Sequence, residues 1–580
     1  MSDDAGIVLE VRNLSTWFET GPQLIKAVED VSLTLRRGRT LCVVGESGSG
    51  KSVTARSILR IVPRPGRIVG GEILLHGSDL PWAGGVPVDL ARLAPKGRRI
   101  RQIRGRDIAM IFQEPMSSLS PVHTIGQQIV EAIRLHRRVS KADARARAIE
   151  VLEQVKIPRP AQSIDSYTFE FSGGMRQRAM TAMALACEPK LLIADEPTTA
   201  LDVTTQAEIL DLIRELQTRY GMAMMFITHD MGVVAEIADE VAVMQLGRVV
   251  EQGPVDQIFH DPRHPYTQHL LGSVLKLERR SHRAAAPSPA AAAAPAVLTV
   301  ENLSMHFASR KRAFGRSRGE TVKALDAVSF ELRRGETLGI VGESGSGKTT
   351  LGRCILRVLD PTGGKVLFHG RDAAAVDLAA LPRRAVKPYW REIRMIFQDP
   401  FSSLNPRMTV LQVVGEPMRN CGVARGAELE ERVAELLRQV GLSPDMMRRY
   451  PHAFSGGQRQ RIGIARAIAL RPQLIVADEA TSALDVSLRA QVLDLLLELR
   501  ERLDLSYVFI SHDISVVRYM CDRVAVMHRG RIVEIGETGA VCDQPEHPYT
   551  RSLISAVPKP DPRLRGSLSR IRYEPEAGAA

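Results

Sequence analysis

Short apolar runs that end in small or polar residues recur along this chain and alternate with stretches of helical periodicity. Such runs, bounded by turns, predict parallel strands that are buried on both faces of an α/β sheet. Their polar ends should gather at the carboxyl edge of the sheet, where folds of this class bind ligands. The runs are TLCVV and TLGIV, which lead into glycine-rich loops, and LLIAD, LIVAD, MMFITHD and YVFISHD.

The second half of the chain repeats the first, with a period of roughly 300 residues that is too long for a solenoid repeat. From Ser to the strand-end Asp is 23 residues in both halves, from that Asp to the next is 7, and from there to His is 27. This spacing predicts a duplicated domain. The matched landmarks are Lys51 and Lys348, Gln113 and Gln398, Ser172 and Ser455, Asp195 and Asp478, Glu196 and Glu479, Asp202 and Asp485, and His229 and His512.

The two copies differ in one interval, and other segments differ from both copies in composition. Lys to Gln spans 62 residues in the first copy and 50 in the second, which predicts an inserted surface loop around LPWAGGVPVDL. The segment between the copies is rich in alanine and proline and reads as a semi-stiff linker. The predicted divisions are a first domain at 1–277, a linker at 278–297, a second domain at 298–558 and a basic, flexible tail at 559–580.

Composition and charge are those of a globular protein with enough apolar material for full cores. The chain has 580 residues, 44% of them hydrophobic, and a net charge of +12. We find no apolar run of the 18 or more residues that a membrane span needs, and the start MSDDAGIVLEVRN lacks a signal-peptide core. We therefore expect a protein that is neither secreted nor membrane-spanning. The charge permits nucleic acid, anionic lipid or a polyphosphate ligand without choosing between them.

The six cysteines form no C-x-x-C pair, so we expect reduced thiols that mostly serve packing. They are Cys42, Cys187, Cys354, Cys421, Cys521 and Cys542.

GESGSGKS and GESGSGKT both match the phosphate-binding pattern GxxxxGK[ST], and each follows an apolar strand and opens a predicted helix. Glycines let backbone N–H groups turn inward around phosphate, and the helix adds its positive N-terminal end. The lysines would reach the β- and γ-phosphates, and Ser52 and Thr349 would offer hydroxyls to Mg²⁺. The loop residues are Gly45, Glu46, Ser47, Gly48, Ser49, Gly50, Lys51 and Ser52, and Gly342, Glu343, Ser344, Gly345, Ser346, Gly347, Lys348 and Thr349.

Three further polar positions follow predicted strands in both copies. A strand-end carboxylate, Asp195 or Asp478, can hold Mg²⁺ through its water shell. Glu196 and Glu479 come next and could polarise an attacking water. The matched T/S-H-D setting favours a γ-phosphate contact for His229 and His512 over a packed core histidine.

FSGGM and FSGGQ place a hydroxyl and two glycines just before predicted helices. Taken alone, such a stretch is either a helix cap or an anion site.

The glycine loop, Gln loop, SGG signature, DE strand and His, in that order, resemble the nucleotide-binding domains of ABC transporters, twice and over nearly the whole chain. The resemblance implies two tandem P-loop NTPase domains, each with a RecA-like core, an antiparallel β subdomain and a helical signature subdomain. It also implies that ATP lies between the glycine loop of one domain and the signature of the other. Lys51 would then work with Ser455 and Gly457, and Lys348 with Ser172 and Gly174.

The resemblance assigns further roles residue by residue. Glutamate is the catalytic base, histidine holds the γ-phosphate, and glutamine senses Mg²⁺ and γ-phosphate and relays to a partner. Both signatures begin with Phe where Leu is commoner, and Met175 replaces a usual Gln, but the hydroxyls and glycines remain. By this resemblance the bases are Glu196 and Glu479, the γ-phosphate ligands are His229 and His512, and the sensors are Gln113 and Gln398. Gly173 and Gly456 join the signature residues named above, and Asp202 and Asp485 lie in loops at the domain interface. Adenine would stack on Phe18 and Phe307, with Trp17 as an alternative.

HPYT follows each His at 35 residues, and the Gln loops continue EPMSSLSP and DPFSSLNP. These features look like the ATPase subunits of peptide-class importers, which take up dipeptides, oligopeptides, glutathione or nickel. The resemblance implies ATP and Mg²⁺, two integral-membrane permeases, an external solute-binding protein, no nucleic acid, and a peripheral place on the cytoplasmic face of the inner membrane. Residues 113–124 and 398–409 should flank the grooves for permease coupling helices. Some members of this class hold an iron–sulfur cluster with a group of cysteines near this region. Here no cysteine lies between Cys187 and Cys354 and none follows Cys542, so we expect no iron–sulfur cluster.

Tandem domains of this kind also occur in ribosome-associated translation factors, which the positive charge would suit. Those factors carry a long, charged, helical linker, whereas this linker is short and mostly alanine and proline. A DNA-repair ATPase would be expected to carry large insertions or zinc-type cysteine pairs. The basic run at 309–319 could touch anionic lipid, but a solvated loop is the favoured interpretation.

Overall fold

The computed structural model describes residues 6–21, 23–114, 118–198, 201–281, 294–308, 321–371, 375–399, 403–482, 484–566 and 570–573. Contacts divide the chain into two compact units. The first comprises Met1–Leu201, Thr205–Val274 and Pro558–Ser569, and the second comprises Asp202–Thr204, Leu275–Val557 and Arg570–Ala580. Most of the predicted linker and the whole basic run at 309–319 lie outside the described residues. Within the described ranges, no helix has both the length and the apolarity to cross a membrane.

The first unit is built on a six-stranded sheet in the order β10-β9-β3-β8-β7-β6, parallel except for β10. A second, antiparallel sheet has the order β2-β1-β4-β5. These two sheets match the expected core and antiparallel β subdomain. The strands are β1 (Ile7–Thr20), β2 (Gln23–Arg36), β3 (Thr40–Val44), β4 (Gly66–Leu75), β5 (Val88–Asp89), β6 (Ile108–Ile111), β7 (Leu191–Asp195), β8 (Ala223–Ile227), β9 (Glu240–Gln245) and β10 (Arg248–Pro254).

Some helices of the first half flank the core sheet. Those that lie between β6 and β7 in the sequence form a helical subdomain. In that subdomain, the apolar faces of α3, α4 and α6 share one buried core with α7. The helices are α1 (Lys51–Ile58), α2 (Arg98–Ile103), α3 (Ile125–His136), α4 (Lys141–Gln154), α5 (Pro160–Ser163), α6 (Gly173–Leu185), α7 (Val203–Tyr220), α8 (Met231–Ile237), α9 (Val255–His260) and α10 (Pro265–Ser281), with 3₁₀ turns at Leu90–Arg92 and Thr168–Glu170.

The second unit repeats this architecture, with a core sheet in the order β16-β17-β18-β13-β19-β20 and an antiparallel sheet in the order β12-β11-β14-β15. The strands are β11 (Ala296–Ala308), β12 (Thr321–Arg333), β13 (Thr337–Val341), β14 (Gly363–His369), β15 (Ala375–Asp377), β16 (Ile393–Ile396), β17 (Leu474–Asp478), β18 (Ser506–Ile510), β19 (Arg523–His528) and β20 (Arg531–Glu537).

The helices of the second half follow the same order. They are α11 (Lys348–Ile355), α12 (Arg383–Val386), α13 (Val410–Asn420), α14 (Gly426–Gln439), α15 (Gly456–Ile468), α16 (Val486–Leu503), α17 (Ile514–Met520), α18 (Thr538–Asp543) and α19 (Pro548–Ser555), with 3₁₀ turns at Lys387–Arg391, Pro444–Arg448, Pro451–Ala453 and Pro562–Leu564.

The apolar runs form central strands because both faces of the core sheet are covered. Every residue of β3, β7, β8, β13, β17 and β18 is buried. The register pairs Asp195 with Ile227 and Asp478 with Ile510. Each strand-end aspartate therefore lies beside the strand that leads, two residues later, to a candidate histidine. The polar ends of these strands therefore meet at the carboxyl edge of the sheet, where the sequence places the candidate residues.

The inserted segment of the first copy packs more closely than the predicted surface loop would. Leu80 and Ala83 are buried. The Trp82 indole donates to the Gln102 side chain at 2.7 Å, and the Arg99 guanidinium lies 5.2 Å from the Trp82 ring centroid. The insertion therefore packs Leu80 and Ala83 into the core of the first unit and covers α2 with Trp82.

Part of the predicted flexible tail is folded. Pro562–Leu564 forms a 3₁₀ turn, and Arg563 pairs with Asp256 at 2.9 Å. Arg565 donates to the carbonyl oxygen of Ala238, also at 2.9 Å. Arg563 and Arg565 therefore pair with groups of the first compact unit, to which this stretch belongs.

Candidate nucleotide-binding sites

The glycine loop between β3 and α1 is shaped by three glycines with positive φ. Gly45, Gly48 and Gly50 have φ of 147°, 79° and 100°. Lys51 is buried, and its ammonium donates to the carbonyl oxygens of Gly45 at 2.7 Å and Glu46 at 2.8 Å. The loop thus curls around the lysine at the first turn of a helix, where N–H groups favour an anion.

The second glycine loop, between β13 and α11, has nearly the same geometry. The Lys348 ammonium donates to the carbonyl oxygens of Gly342 at 2.8 Å and Glu343 at 2.7 Å. Burial lowers the pKa of Lys348, and nearby carboxylates led by Glu479 oppose that effect. A buried, multiply hydrogen-bonded cation in each loop is suited to binding a phosphate chain.

A hydroxyl and an aspartate meet beside each loop, as the sequence predicted. The Ser52 hydroxyl donates to Asp195 Oδ1 at 2.7 Å, and the Thr349 hydroxyl donates to Asp478 Oδ1 at 3.1 Å. Burial is the main reason why the pKa values of Asp195 and Asp478 are raised. Asp195 Oδ2 is buried and has no hydrogen-bond partner among the residues that the structure describes. An oxygen set with one uncompensated carboxylate oxygen fits a hard divalent cation.

In the first unit, Glu196 lies at the centre of a cluster with Gln113 and His229. The amide nitrogen of Gln113 donates to Glu196 Oε2 at 2.9 Å, and His229 Nδ1 lies 3.4 Å from Glu196 Oε1. Glu196 has a φ of 47°, in the left-handed region, and its N–H bonds to the carbonyl oxygen of Ile227 at 3.0 Å. After this turn at the strand end, Glu196 contacts Gln113 while Asp195 contacts Ser52, so the two adjacent acids have different partners.

In the second unit, Gln398 donates to Glu479 Oε2 at 2.6 Å, and His512 Nδ1 lies 3.2 Å from Glu479 Oε1. The φ of Glu479 is 46°. Burial would raise the pKa of Glu479, but His512, Lys348 and Gln398 together lower it below its usual value. The carboxylate is therefore ionised at neutral pH and available as a proton acceptor. In both units, the glutamine predicted to sense Mg²⁺ contacts the glutamate.

Both signature serines cap helices. Ser172 Oγ accepts from the Met175 N–H at 3.3 Å, and Ser455 Oγ accepts from the Gln458 N–H at 3.4 Å. Gln458 also accepts from the Ser455 N–H at 3.1 Å, which completes a capping box. Met175 has no side-chain acceptor for this second bond, so replacing the usual Gln costs the first signature helix its reciprocal cap.

The glycines of each signature differ in what surrounds them. A Cβ at Gly174 would meet Thr205 Cγ2 at 2.7 Å, so packing alone requires a glycine there. A Cβ built at Gly173 or Gly456 would meet no described atom within 4 Å. Packing of the described residues therefore does not explain these two glycines, and their predicted role at the phosphate stays a prediction. Gly457 is intermediate, with Leu488 Cδ1 at 3.2 Å.

The remaining predicted residues are two aspartates before helices and three aromatic side chains. Asp485 precedes α16, and Asp202 precedes α7 and is buried. Phe307 is 40% exposed, whereas Phe18 is half-buried and its ring lies over Gly66. Beside Phe18, Trp17 has the Lys26 ammonium 5.2 Å from its ring centroid. Adenine stacking by Phe18, Phe307 or Trp17 stays a prediction.

In the sequence, HPYT indicates only a resemblance to one branch of the family. In the structure, its tyrosine contacts the glycine loop. The hydroxyls of Tyr266 and Tyr549 reach the glycine loops of their own units. The sequence does contain a sign that HPYT matters, because the motif begins 35 residues after His229 and 35 residues after His512. Its contact could not be predicted because Tyr266 is 220 residues from its partner in the loop.

Comparison with protein families gives two matches, each found in both halves. The model described as "ABC transporter" matches residues 28–199 and 325–482. The model described as "Oligopeptide/dipeptide transporter, C-terminal region" matches residues 250–296 and 533–579.

Among curated proteins, the chain is similar to the glutathione import ATP-binding protein GsiA of several enterobacteria. It is 49% identical to that of Escherichia coli O157:H7 over 579 residues, covering 96% of this chain and 91% of the relative. The Salmonella typhimurium protein is 48% identical over 578 residues with the same coverage. A dimeric bacterial ABC transporter cassette, MJ0796, is 29% identical and covers 42% of this chain and 98% of its own, with a TM-score of 0.36.

Proposed function

Because the chain belongs to the ABC transporter ATP-binding family, we propose that it is the ATPase subunit that energises an importer of small peptides, with glutathione as the first candidate cargo. The observation that carries the ATPase part of this conclusion is the duplicated site: two glycine loops, each with its own aspartate, glutamate, glutamine and histidine. A chain with two complete sets would hydrolyse two ATP molecules, one at each glycine loop. The match of both HPYT regions to the oligopeptide/dipeptide transporter model supports the cargo class.

The residues around each glutamate suggest their roles in hydrolysis. Glu479 would accept a proton from the attacking water, and Gln398 and His512 would hold its two carboxylate oxygens in place. Lys348 would bind the phosphates through its ammonium. Fixed charges and donors of this kind supply most of the catalysis in phosphoryl transfer. Glu196, Gln113, His229 and Lys51 would act likewise, and ATP binding would close the domains head to tail until hydrolysis reopens them.

We also propose that Mg²⁺ accompanies ATP. Ser52 with Asp195, and Thr349 with Asp478, are the residues that would hold it. Bound there, the ion would neutralise charge on the phosphates. The uncompensated Oδ2 of Asp195 supports this assignment, because such an atom is costly without a cation.

Asp195→Asn should separate stability from activity. Burial raises the pKa of Asp195 in the folded protein. The ionised carboxylate therefore destabilises the fold at any pH above the pKa that Asp195 has in the unfolded chain. Without nucleotide, we expect the variant to be more stable at neutral pH by on the order of 1 kcal/mol, and this gain to vanish near pH 3. ATPase activity should fall steeply. Thermal melts from pH 3 to 8 and Mg²⁺ titrations of ATPase check this, and a loss of stability at pH 7 would contradict it.

An import ATP-binding protein works with membrane permeases, and we propose two of them, together with an external binding protein. Their attachment would place this chain on the cytoplasmic face of the inner membrane. The ribosome-associated alternative gains no support, because the HPYT region matches a transporter model in both copies.

The test is a pull-down of the tagged chain from detergent-solubilised cells, followed by mass spectrometry. We expect two polytopic permeases in equal amount. Uptake of labelled glutathione, dipeptides and nickel would then be compared in cells expressing the wild type or the Glu196→Gln/Glu479→Gln double variant. Ribosomal proteins and rRNA without a permease would refute the importer, and uptake of none of these solutes would refute the cargo class.

A further inference from the structure

A chain of hydrogen bonds runs from β10 to the first glycine loop. Glu251 accepts from the N–H groups of Arg263 at 2.8 Å and His264 at 3.0 Å. His264 Nδ1 then accepts from the N–H of Tyr266 at 3.2 Å. The Tyr266 hydroxyl in turn accepts from the N–H of Glu46 at 3.0 Å. His264 and Tyr266 thus link the carboxylate of Glu251 to the glycine loop.

The same chain is present in the second unit. Glu534 accepts from the N–H groups of Glu546 at 2.9 Å and His547 at 3.0 Å. His547 Nδ1 caps α19 by accepting from the Tyr549 N–H at 3.1 Å. The Tyr549 hydroxyl accepts from the N–H of Glu343, also at 3.1 Å. A repeat of four contacts at equivalent positions indicates a built arrangement and not a chance contact.

Proline and histidine explain why the tyrosine is aimed so reproducibly. Proline suits the first position of a helix, because its fixed φ fits and no N–H is needed there. A side-chain acceptor just before the helix fixes the direction of the first turn. Tyr549 follows both, is only 2% exposed, and contacts the rings of His528 at 4.1 Å and Tyr573 at 5.5 Å between centroids. Its ring position therefore does not depend on the hydroxyl.

The partner of this hydroxyl is the second residue of the glycine loop, which is held from two sides. The carbonyl oxygen of Glu343 accepts from the Lys348 ammonium at 2.7 Å, while its N–H meets Tyr549. If Lys348 reached towards a bound phosphate, its bond to this carbonyl oxygen would weaken. The tyrosine bond would then hold this end of the loop while the later N–H groups face the anion.

We propose that Tyr266 and Tyr549 are positioning residues for nucleotide binding, each holding the entrance of its glycine loop in the phosphate-binding shape. The proposal rests on the ATPase function proposed above. It gives the HPYT motif a task inside each nucleotide site. The hydroxyl acts before chemistry, on the loop that binds phosphate, and so affects affinity for ATP more than the rate at saturation.

The test is the double variant Tyr266→Phe/Tyr549→Phe in the full chain, which removes only the two hydroxyl groups. A buried hydrogen bond contributes on the order of 1 kcal/mol, so we expect Kd for a non-hydrolysable ATP analogue, and KM for ATP, to rise about three- to tenfold. We expect kcat to stay within about twofold. The control is Tyr507→Phe, whose buried hydroxyl donates to the Leu496 carbonyl oxygen at 3.2 Å.

The outcomes distinguish this proposal from the proposed function. If the wild type binds and hydrolyses ATP and the double variant has unchanged Kd and KM, the positioning role is refuted. An equal rise in the Tyr507→Phe control would also refute it, because the effect would then follow from general loosening. If the wild type neither binds nor hydrolyses ATP, the proposed function itself fails. Thermal melts of all variants confirm that each is folded.

Discussion

Replacing Glu196 and Glu479 together by glutamine is expected to lower ATP hydrolysis by about 10²–10⁴-fold, the usual contribution of a general base. Glutamine has nearly the same shape, so the contacts with the neighbouring glutamine and histidine can persist while the proton acceptor is lost. Nucleotide affinity should change little. The measurement is steady-state phosphate release together with equilibrium binding of ATP.

The single variants test whether both sites are competent. The two clusters agree within 0.3 Å in both contacts, 2.9 against 2.6 Å for the glutamine and 3.4 against 3.2 Å for the histidine. Each single variant should therefore lose about half of the activity or more. If one leaves the rate unchanged while the other abolishes it, symmetric competence is wrong. Glu498→Gln, on the surface of α16 beside Arg502, is the matched control.

The core and the chemical groups of the sites could be predicted because they depend on short stretches. An apolar run such as LIVAD specifies a buried strand, and its last residue then lies at the carboxyl edge of the sheet. Asp478 and the hydroxyl of Thr349 meet there although they are 129 residues apart. Asp478 ends the central strand β17, and Thr349 lies in the first turn of the helix after the glycine loop that follows the central strand β13. Periodicity and motif order were sufficient to predict this meeting.

What could not be predicted depends on contacts that no local pattern encodes. Arg563 looks like a residue of a loose basic tail, and its pairing with Asp256 follows only from how the chain folds back. Leu80 sits in a stretch with loop composition, yet it is buried by contacts of the insertion with its own unit. The tyrosine of HPYT is another residue whose contact could not be predicted. The local sequence predicts that a helix starts there, whereas the partner of the hydroxyl follows only from the tertiary fold.

The glycines of the phosphate loops combine both kinds of information, since the motif predicts where they are and the structure distinguishes what each one does. Gly345 has a φ of 82°, and a Cβ there would meet nothing described within 4 Å. Gly347 has a φ of 104°, and its Cβ would lie 2.3 Å from the Ala324 carbonyl oxygen. The first needs glycine for backbone conformation alone, and the second for conformation and space.

Gly347→Ala should therefore lower nucleotide affinity far more than Gly345→Ala. Alanine at position 345 adds only left-handed strain of about 1–2 kcal/mol, which the loop can absorb in part. At 347 the overlap is with backbone, so either β12 or the start of α11 must shift, which displaces Lys348 from its phosphate-binding position. We expect a loss of affinity on the order of 100-fold or more, against about tenfold or less for Gly345→Ala. Titration of each purified variant with an ATP analogue measures both, and equal losses would show that the contact with Ala324 does not determine the loop.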